Sequence, residues 1–203
     1  DPLDWILPRL SEAYLKVGEV ASAVDCLIQL LDDDKRCIEE GKIIRHYSGY
    51  VCLDLIKALI DAGRNSEAEI YAHELISYIE PEIKENEDNS YYIKYVLAAN
   101  WYLYYLSNNQ LDQKVYWNKC KELFDQLGDA KLQEEHIGFI REYIKENGVN
   151  FNEIIDIINR LEVGYGKEEQ IIQFIEEIID GQGDKKDFRP YQIQLLIKCA
   201  EIT

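Results

Sequence analysis

The residues whose types allow chemistry in this 203-residue chain are three histidines, five cysteines and fifteen tyrosines. A metal site needs His, Cys or carboxylate ligands at a spacing that lets them converge. His46, His73 and His136 are far apart, and only His73 has a carboxylate one helical turn before it, Glu69. With no second His or Cys joining them, Glu69 and His73 read as a surface hydrogen bond or ion pair. His136 falls on an apolar face and reads as a satisfied, half-buried side chain. Cys26, Cys37, Cys52, Cys120 and Cys199 are odd in number, form no C-x-x-C pair and mostly sit in apolar helical stretches. That pattern fits reduced, buried thiols better than a disulfide framework. Asp180-Gly-Gln-Gly-Asp184 begins like a calcium loop, but Lys185 stands where the loop needs Gly and Tyr191 where it needs a bidentate Glu, so a turn is expected. There is no phosphate-cradling Gly-rich loop, no nucleophile elbow, and no Ser/His/Asp or Cys/His set that periodicity would bring together. The expectation is a protein without catalytic residues, cofactor or metal: not an enzyme.

Charge narrows the partners. Asp and Glu outnumber Lys and Arg 39 to 22, for a formal net charge of −17, and 47% of residues are hydrophobic. A core is affordable in composition, and disorder is excluded. A surface this acidic repels phosphate backbones, which sets aside nucleic acid and anionic membrane and favours a basic protein or peptide. The runs Asp32–Asp34 and Glu85–Asp88 read first as solvated loops, and second as docking sites for such a partner. No apolar run approaches the roughly 18 residues needed to span a bilayer. No signal peptide or N-x-[ST] sequon is visible, so a cytoplasmic location is expected. The chain contains no Met, which reads as part of a longer protein whose neighbouring domains carry the output.

The apolar residues recur at i, i+3, i+4 and i+7, the helical period, with almost no sustained alternation. One helix is marked by Leu10, Tyr14 and Val17, and the next by Ala23, Leu27 and Leu30, with Gly18 between them suited to a left-handed helix end. A charged connector is expected over Asp32–Gly41. A second pair follows, 47–62 and 66–79, broken at Gly63 and capped by Asn65 or Ser66. A third runs over 90–106 and 111–127. Helices are then expected around Leu132–Ile144, Phe151–Leu161 and Ile171–Ile179, and a last one from Pro190 after a loop at Asp180–Arg189. The fold class is all-α, with about ten antiparallel helices.

The first two pairs repeat one another. Leu10–Tyr14–Gly18–Ala23–Leu27–Leu30 has the spacing of Leu55–Leu59–Gly63–Ala68–Ala72–Leu75. This resembles the tetratricopeptide repeat, in which a Gly reverses the chain, a small residue lets the two helices approach, and a large residue fills the gap to the next repeat. Leu10-Ser-Glu-Ala-Tyr-Leu-Lys-Val-Gly18 is the best single match. In the third pair, Tyr105 falls at the aromatic position, Asn109 at the Gly and Lys114 at the Ala. Asn can adopt the left-handed turn, but Lys must move the helices apart or snorkel outward. Ala23, Ala68 and Lys114 are 45 and 46 residues apart, against the family's usual 34, so longer helices or an ordered connector must absorb the excess.

The resemblance covers roughly residues 5–127 and implies a right-handed superhelix of three helix pairs over 1–127, with 128–203 continuing or capping it. It also implies a concave groove lined by the first helix of each pair. The positions are Trp5, Pro8, Glu12 and Lys16, then Tyr50, Leu53, Lys57 and Asp61, then Val96, Ala99, Leu103 and Ser107. The family's best-known site clamps a C-terminal carboxylate with Lys, Asn and Arg. Its positions correspond to Pro8, Glu12, Asp54, Val96 and Asn100, which lack the basic members, so that class of partner is not expected. Seven tyrosines crowd with Trp101 and Trp117 into Tyr91–Trp117. Tyr91, Tyr92, Tyr95 and Tyr104 cannot all share one helix face, so some should be exposed contacts. The expected function is a scaffold or adaptor that binds a protein or peptide. The alternative is the regulatory input or sensor domain of a larger bacterial signalling protein, such as a diguanylate cyclase or a helix-turn-helix regulator.

Overall fold

The computed structural model describes residues 3–40, 45–85, 89–147, 150–162, 168–182 and 189–202. Among them are ten α-helices: α1 Leu3–Lys16, α2 Val20–Glu39, α3 Arg45–Asp61, α4 Asn65–Glu85, α5 Ser90–Leu106, α6 Gln110–Leu127, α7 Ile137–Asn147, α8 Phe151–Arg160, α9 Glu168–Gln182 and α10 Arg189–Ile202. The only β pairing among the described residues is an isolated bridge between Leu132 and Leu161. The chain divides into two compact units, Asp1–Gln126 and Leu127–Thr203.

In the first unit, each helix from α1 to α5 packs against the next, and α3 also packs against α5. The chain reversals within the first two pairs are the same structure. After α1, Gly18 N–H donates to the Leu15 carbonyl (3.1 Å) and Glu19 N–H to that of Tyr14 (2.9 Å). After α3, Gly63 N–H donates to the Ile60 carbonyl (2.9 Å) and Arg64 N–H to that of Leu59 (2.8 Å). Both glycines have positive φ, 78° and 70°, which completes a Schellman ending. The next helix then starts on equivalent residues, because the Glu19 and Arg64 carbonyls accept from Ala23 and Ala68 N–H, each at 3.1 Å. Ala23 and Ala68 are fully buried, with Leu27, Ala72, Leu30 and Leu75 behind them. Small side chains here allow the close approach of paired helices. Arg64 also forks onto Glu67, with Nε and Nη2 each 2.7 Å from a carboxylate oxygen. Arg64, the residue before α4, therefore takes the cap position in place of the expected Asn65 or Ser66.

The third pair corrects the expected register. α5 ends at Ser107 in extended conformation, φ −69° and ψ 131°. Asn109 opens α6, with its carbonyl accepting from Gln113 N–H (2.9 Å) and its Oδ1 from Leu111 N–H (2.9 Å). It thus corresponds to Glu19 and Arg64, not to the glycines. The repeat is 45 residues in both steps, from Glu19 to Arg64 to Asn109. The Ala position is taken by Gln113, half-buried, whose amide reaches back to the Ser107 carbonyl (2.8 Å), while Lys114 is simply exposed. α6 meets α5 through large side chains, with the Trp117 ring 5.6 Å from that of Tyr104.

The extra length over a 34-residue repeat lies largely in the helices. α2 continues through Asp32–Glu39, which was expected as a connector, and α4 runs past Pro81 to Glu85. Residues 86–88 of the expected acidic loop lie outside the described residues. A further packing device is Gly49 on α3, where a Cβ would come within 3.0 Å of the Tyr95 ring and 3.1 Å of Ile79. α5 buries Ile93 and every residue from Tyr95 through Asn100, as befits a helix covered on several sides.

In the second unit, a 3-10 turn at Glu134–His136 leads into α7, and α10 packs on α8 and α9. Leu132 and Leu161 are joined by Leu132 N–H to the Arg160 carbonyl (2.8 Å) and Glu162 N–H to the Leu132 carbonyl (2.7 Å). A capping box of Asn150 and Glu153 starts α8. Arg141 on α7 holds Glu177 on α9 (2.7 Å) and lies over the Phe174 ring. α9 runs to Gln182, so Asp180 and Gly181 are helical rather than part of the expected turn. Residues 183–188 lie outside the described residues.

The two glycine turns yield a paired test. A Cβ at Gly18 or Gly63 would meet nothing within 4 Å, so alanine there costs backbone strain alone, about 1 kcal/mol. Gly18→Ala and Gly63→Ala should each lower the melting temperature by about 2–4 °C in thermal unfolding. Gly18→Asn should cost less, since Asn tolerates the left-handed region.

Candidate functional site

The equivalence of Glu19, Arg64 and Asn109 fixes which side chains of α1, α3 and α5 occupy the same column. α3 is buried on nearly every side. From Val51 to Leu59 only Asp54 and Lys57 escape full burial, and with Tyr50 and Asp61 they make one narrow stripe. Tyr50 heads it, 45% exposed. On α1 the matching residues are Trp5, Arg9, Glu12 and Lys16, of which the last three are exposed; the Trp5 side chain lies outside the description. The charges reverse at every step: Arg9 against Asp54, Glu12 against Lys57, Lys16 against Asp61. Although the chain carries −17 overall, this face has three charges of each sign. Its contact chemistry is balanced rather than acidic.

The third column requires a correction. Val96 and Leu103, expected to line the same face, are 0% and 1% exposed and present no surface. The physical reason is the one-residue register change at the α5–α6 turn. Counting from Asn109 as the helix start, the column is Tyr95, Ala99, Tyr102 and Leu106. Tyr95 and Ala99 are buried, while Tyr102 and Leu106 are half-buried. Leu53 is buried at 3% and Ser107 half-buried.

The aromatic segment splits as helix geometry demands. Tyr95 is buried and its hydroxyl donates to that of Tyr91 (2.5 Å), while Tyr91 and Tyr105 are exposed. Trp101 stacks on Tyr104 with ring centres 5.2 Å apart. Of the expected exposed contacts, Tyr91 qualifies; Tyr92 and Tyr104 are half-buried and Tyr95 is core.

A second cluster had no signal in the sequence. Lys35 on α2 and Glu74 on α4 form an ion pair, 39 residues apart and at no shared period. Leu31, Lys35, Cys52, Glu74, Leu75 and Tyr78 line a depression of about 300 Å³ there, open solvent included. Burial by itself would lower the Lys35 ammonium, but the hydrogen bond and charge of Glu74, with Asp32, raise it above its usual value. Burial pushes the Cys52 thiol up to about 12, and its Sγ lies 3.5 Å from the Tyr71 carbonyl. A thiol so protonated is no nucleophile at neutral pH. Burial likewise raises Cys120, beneath the Leu97 carbonyl (3.8 Å). The five cysteines are free, as Cys26, Cys52 and Cys120 are buried and Cys37 and Cys199 half-buried.

His73 meets Tyr116 of α6, with Nε2 and the hydroxyl 3.5 Å apart. His136 is 1% exposed, and its Nδ1 is 3.1 Å from both the amide nitrogen and the carbonyl oxygen of Gln133. Among the described residues, no three His, Cys, Asp or Glu side chains are placed to hold a metal. The Asp32–Asp34 run is on helix α2, where Asp33 pairs with Arg36. No described helix is long and apolar enough to cross a membrane. No family model matches the chain, and comparison with curated proteins and with solved structures gives no match.

The buried groups predict an alkaline instability. Cys52 ionises near 9 when unfolded and near 12 when folded, so between these values the unfolded chain holds fewer protons. Stability then falls as pH rises, by about 1.4 kcal/mol per pH unit for each such thiol. Lys35, raised above 10.5, acts in the same direction: its contribution is complete below that value and is lost as pH climbs through the folded one. Denaturant titrations from pH 8 to 11 should show this fall, and Cys52→Ala should flatten its slope whatever it does to stability at pH 7.

Proposed function

We propose that residues 1–127 form a tetratricopeptide-like array that binds a protein or peptide along the face shared by α1 and α3, and that the chain is a scaffold or adaptor rather than an enzyme. The observation carrying this reading is the bond-for-bond recurrence of the turn and helix start at Gly18–Glu19 and Gly63–Arg64, 45 residues apart. Packing of α3 on α5, beyond its own pair, supports stacking of successive pairs. The binding residues are Glu12, Lys16, Tyr50, Lys57 and Asp61, with Trp5 at the head of the first column and Tyr102 extending the third.

The charge arrangement shapes the partner. Long-range attraction by a −17 chain favours basic partners on approach. At the face itself, where each sign alternates with the other, a segment carrying both charges and an aromatic or aliphatic anchor for Tyr50 fits best. Cytoplasmic placement accords with the buried, free thiols.

Selection of peptides from a random display library against the 203-residue chain tests this reading. Selected peptides should bind with rates that fall as salt is raised. The double variant Tyr50→Ala/Lys57→Ala should weaken them at least about tenfold, or about 1.4 kcal/mol, at an unchanged melting temperature. Peptides that bind the variant equally well would overturn the assignment of the face.

A further inference from the structure

The face assigned to a partner has a spacing as well as a charge pattern. On α1 its residues are Trp5, Arg9, Glu12 and Lys16, and on α3 they are Tyr50, Asp54, Lys57 and Asp61. Each set steps by four, three and four residues, the spacing of the a and d positions in a heptad. Residues so spaced line up close to the helix axis, along the path that a second helix takes when it packs alongside. α1 and α3 both pack on α2, and their 45-residue equivalence matches Arg9 with Asp54, Glu12 with Lys57 and Lys16 with Asp61. Arg9, Glu12, Lys16 and Asp61 are exposed, and no ion pair among the described residues joins them; Asp54 and Lys57 are half-buried. The order of charge is plus, minus, plus on α1 and minus, plus, minus on α3.

These distances select the partner's conformation. At about 1.5 Å per residue, the three charges of each column span about 10.5 Å. A bound helix repeats that interval between its own residues i and i+7, so all three levels meet in register. An extended chain rises about 3.3 Å per residue and turns alternate side chains to one side, so three on one side span about 13 Å. By the third level it is about 3 Å out of step, a whole hydrogen-bond length. A helix also has two flanks beside the strip that faces the array, as the e and g positions flank a coiled-coil seam. One flank can therefore answer α1 while the other answers α3 with the reverse order of charge.

We propose, resting on that assignment of the face, that its partner segment is an amphipathic α-helix of about three turns with opposite charge orders on its two flanks. One flank presents acid, base, acid to Arg9, Glu12 and Lys16. The other presents base, acid, base to Asp54, Lys57 and Asp61, with an apolar residue at the Tyr50 end. A wrong register sets like charges against each other at every level, so the ladder excludes helices of the same composition in a different order.

The probes are the peptides that a random display library yields against the 203-residue chain and that Tyr50→Ala/Lys57→Ala weakens. Their helicity by circular dichroism should rise on binding. Proline at a central peptide position should weaken them about 100-fold, because it breaks a helix, while alanine there should leave affinity within about threefold. Glu12→Lys/Lys57→Glu exchanges the middle level of the face and should weaken them at least about tenfold. A synthetic peptide with its two middle charges exchanged should recover that affinity, which also shows the variant to be folded. Glu12→Lys alone, with a peptide altered on one flank, gives the same readout if the double variant does not fold. Peptides that bind the face yet stay non-helical or tolerate the proline would overturn the helical partner and leave the face assignment standing. An exchanged peptide that fails to recover binding to a variant of unchanged melting temperature would overturn the charge order. Peptides indifferent to Tyr50→Ala/Lys57→Ala would overturn the face itself, and the helical partner with it.

Discussion

The first unit rests on one constraint: the two helices of a pair must reverse direction within three residues and still lie close enough to exclude water. Gly18 and Gly63 meet it with positive φ, which ends one helix while its last carbonyls remain hydrogen-bonded. Ala23 and Ala68 meet the second half, because a side chain of one carbon allows the approach that buries Leu27, Leu30, Ala72 and Leu75. The third pair meets the same constraint with different chemistry. A polar network of Ser107, Asn109 and Gln113 takes over where neither glycine nor alanine is present.

Much of this was legible in the sequence, for reasons that lie in the residues. Glycine at a helix end and alanine five residues on act locally, so their spacing carries the structure without help from distant parts. The boundaries of α5 and α6 were likewise plain, since an apolar stretch meets Ser107-Asn-Asn-Gln110. Other features depended on contacts that no local pattern encodes. Asp32-Asp-Asp-Lys-Arg36 has the composition of a loop, yet it is helical because Leu30 and Leu31 are buried just before it and Lys35 is held by Glu74 on another helix. Asn109 is equally suited to a left-handed turn and to a helix cap. Only the bonds to Leu111 and Gln113 distinguish the two. That ambiguity shifted a whole column by one residue, which moved Val96 and Leu103 from surface to core.

Electrostatics is organised on two scales that composition merges. The sum of charges is strongly negative, while α1 and α3 present matched residues of opposite sign at three successive levels. A total therefore describes how the chain attracts from a distance and says little about what touches it. The cysteines show a comparable separation of type from role. Cys52 and Cys120 have the element for redox or nucleophilic work, but burial holds both as thiols that serve as small apolar packing groups near carbonyl oxygens.

The arrangement of the first unit also bears on how the chain acquires its shape. From α1 to α5, each helix packs against its immediate successor, and the longer steps among the described residues, α3 to α5 and the Lys35–Glu74 pair of α2 and α4, each span a single intervening helix. Contacts this local in sequence carry little loop-closure entropy, which favours rapid folding and lets structure nucleate in any pair and spread outward. Each turn holds its own hydrogen bonds without reference to distant residues. During synthesis, α1 and α2 can accordingly pair before α5 has been made, and the fold grows in the order in which its helices appear.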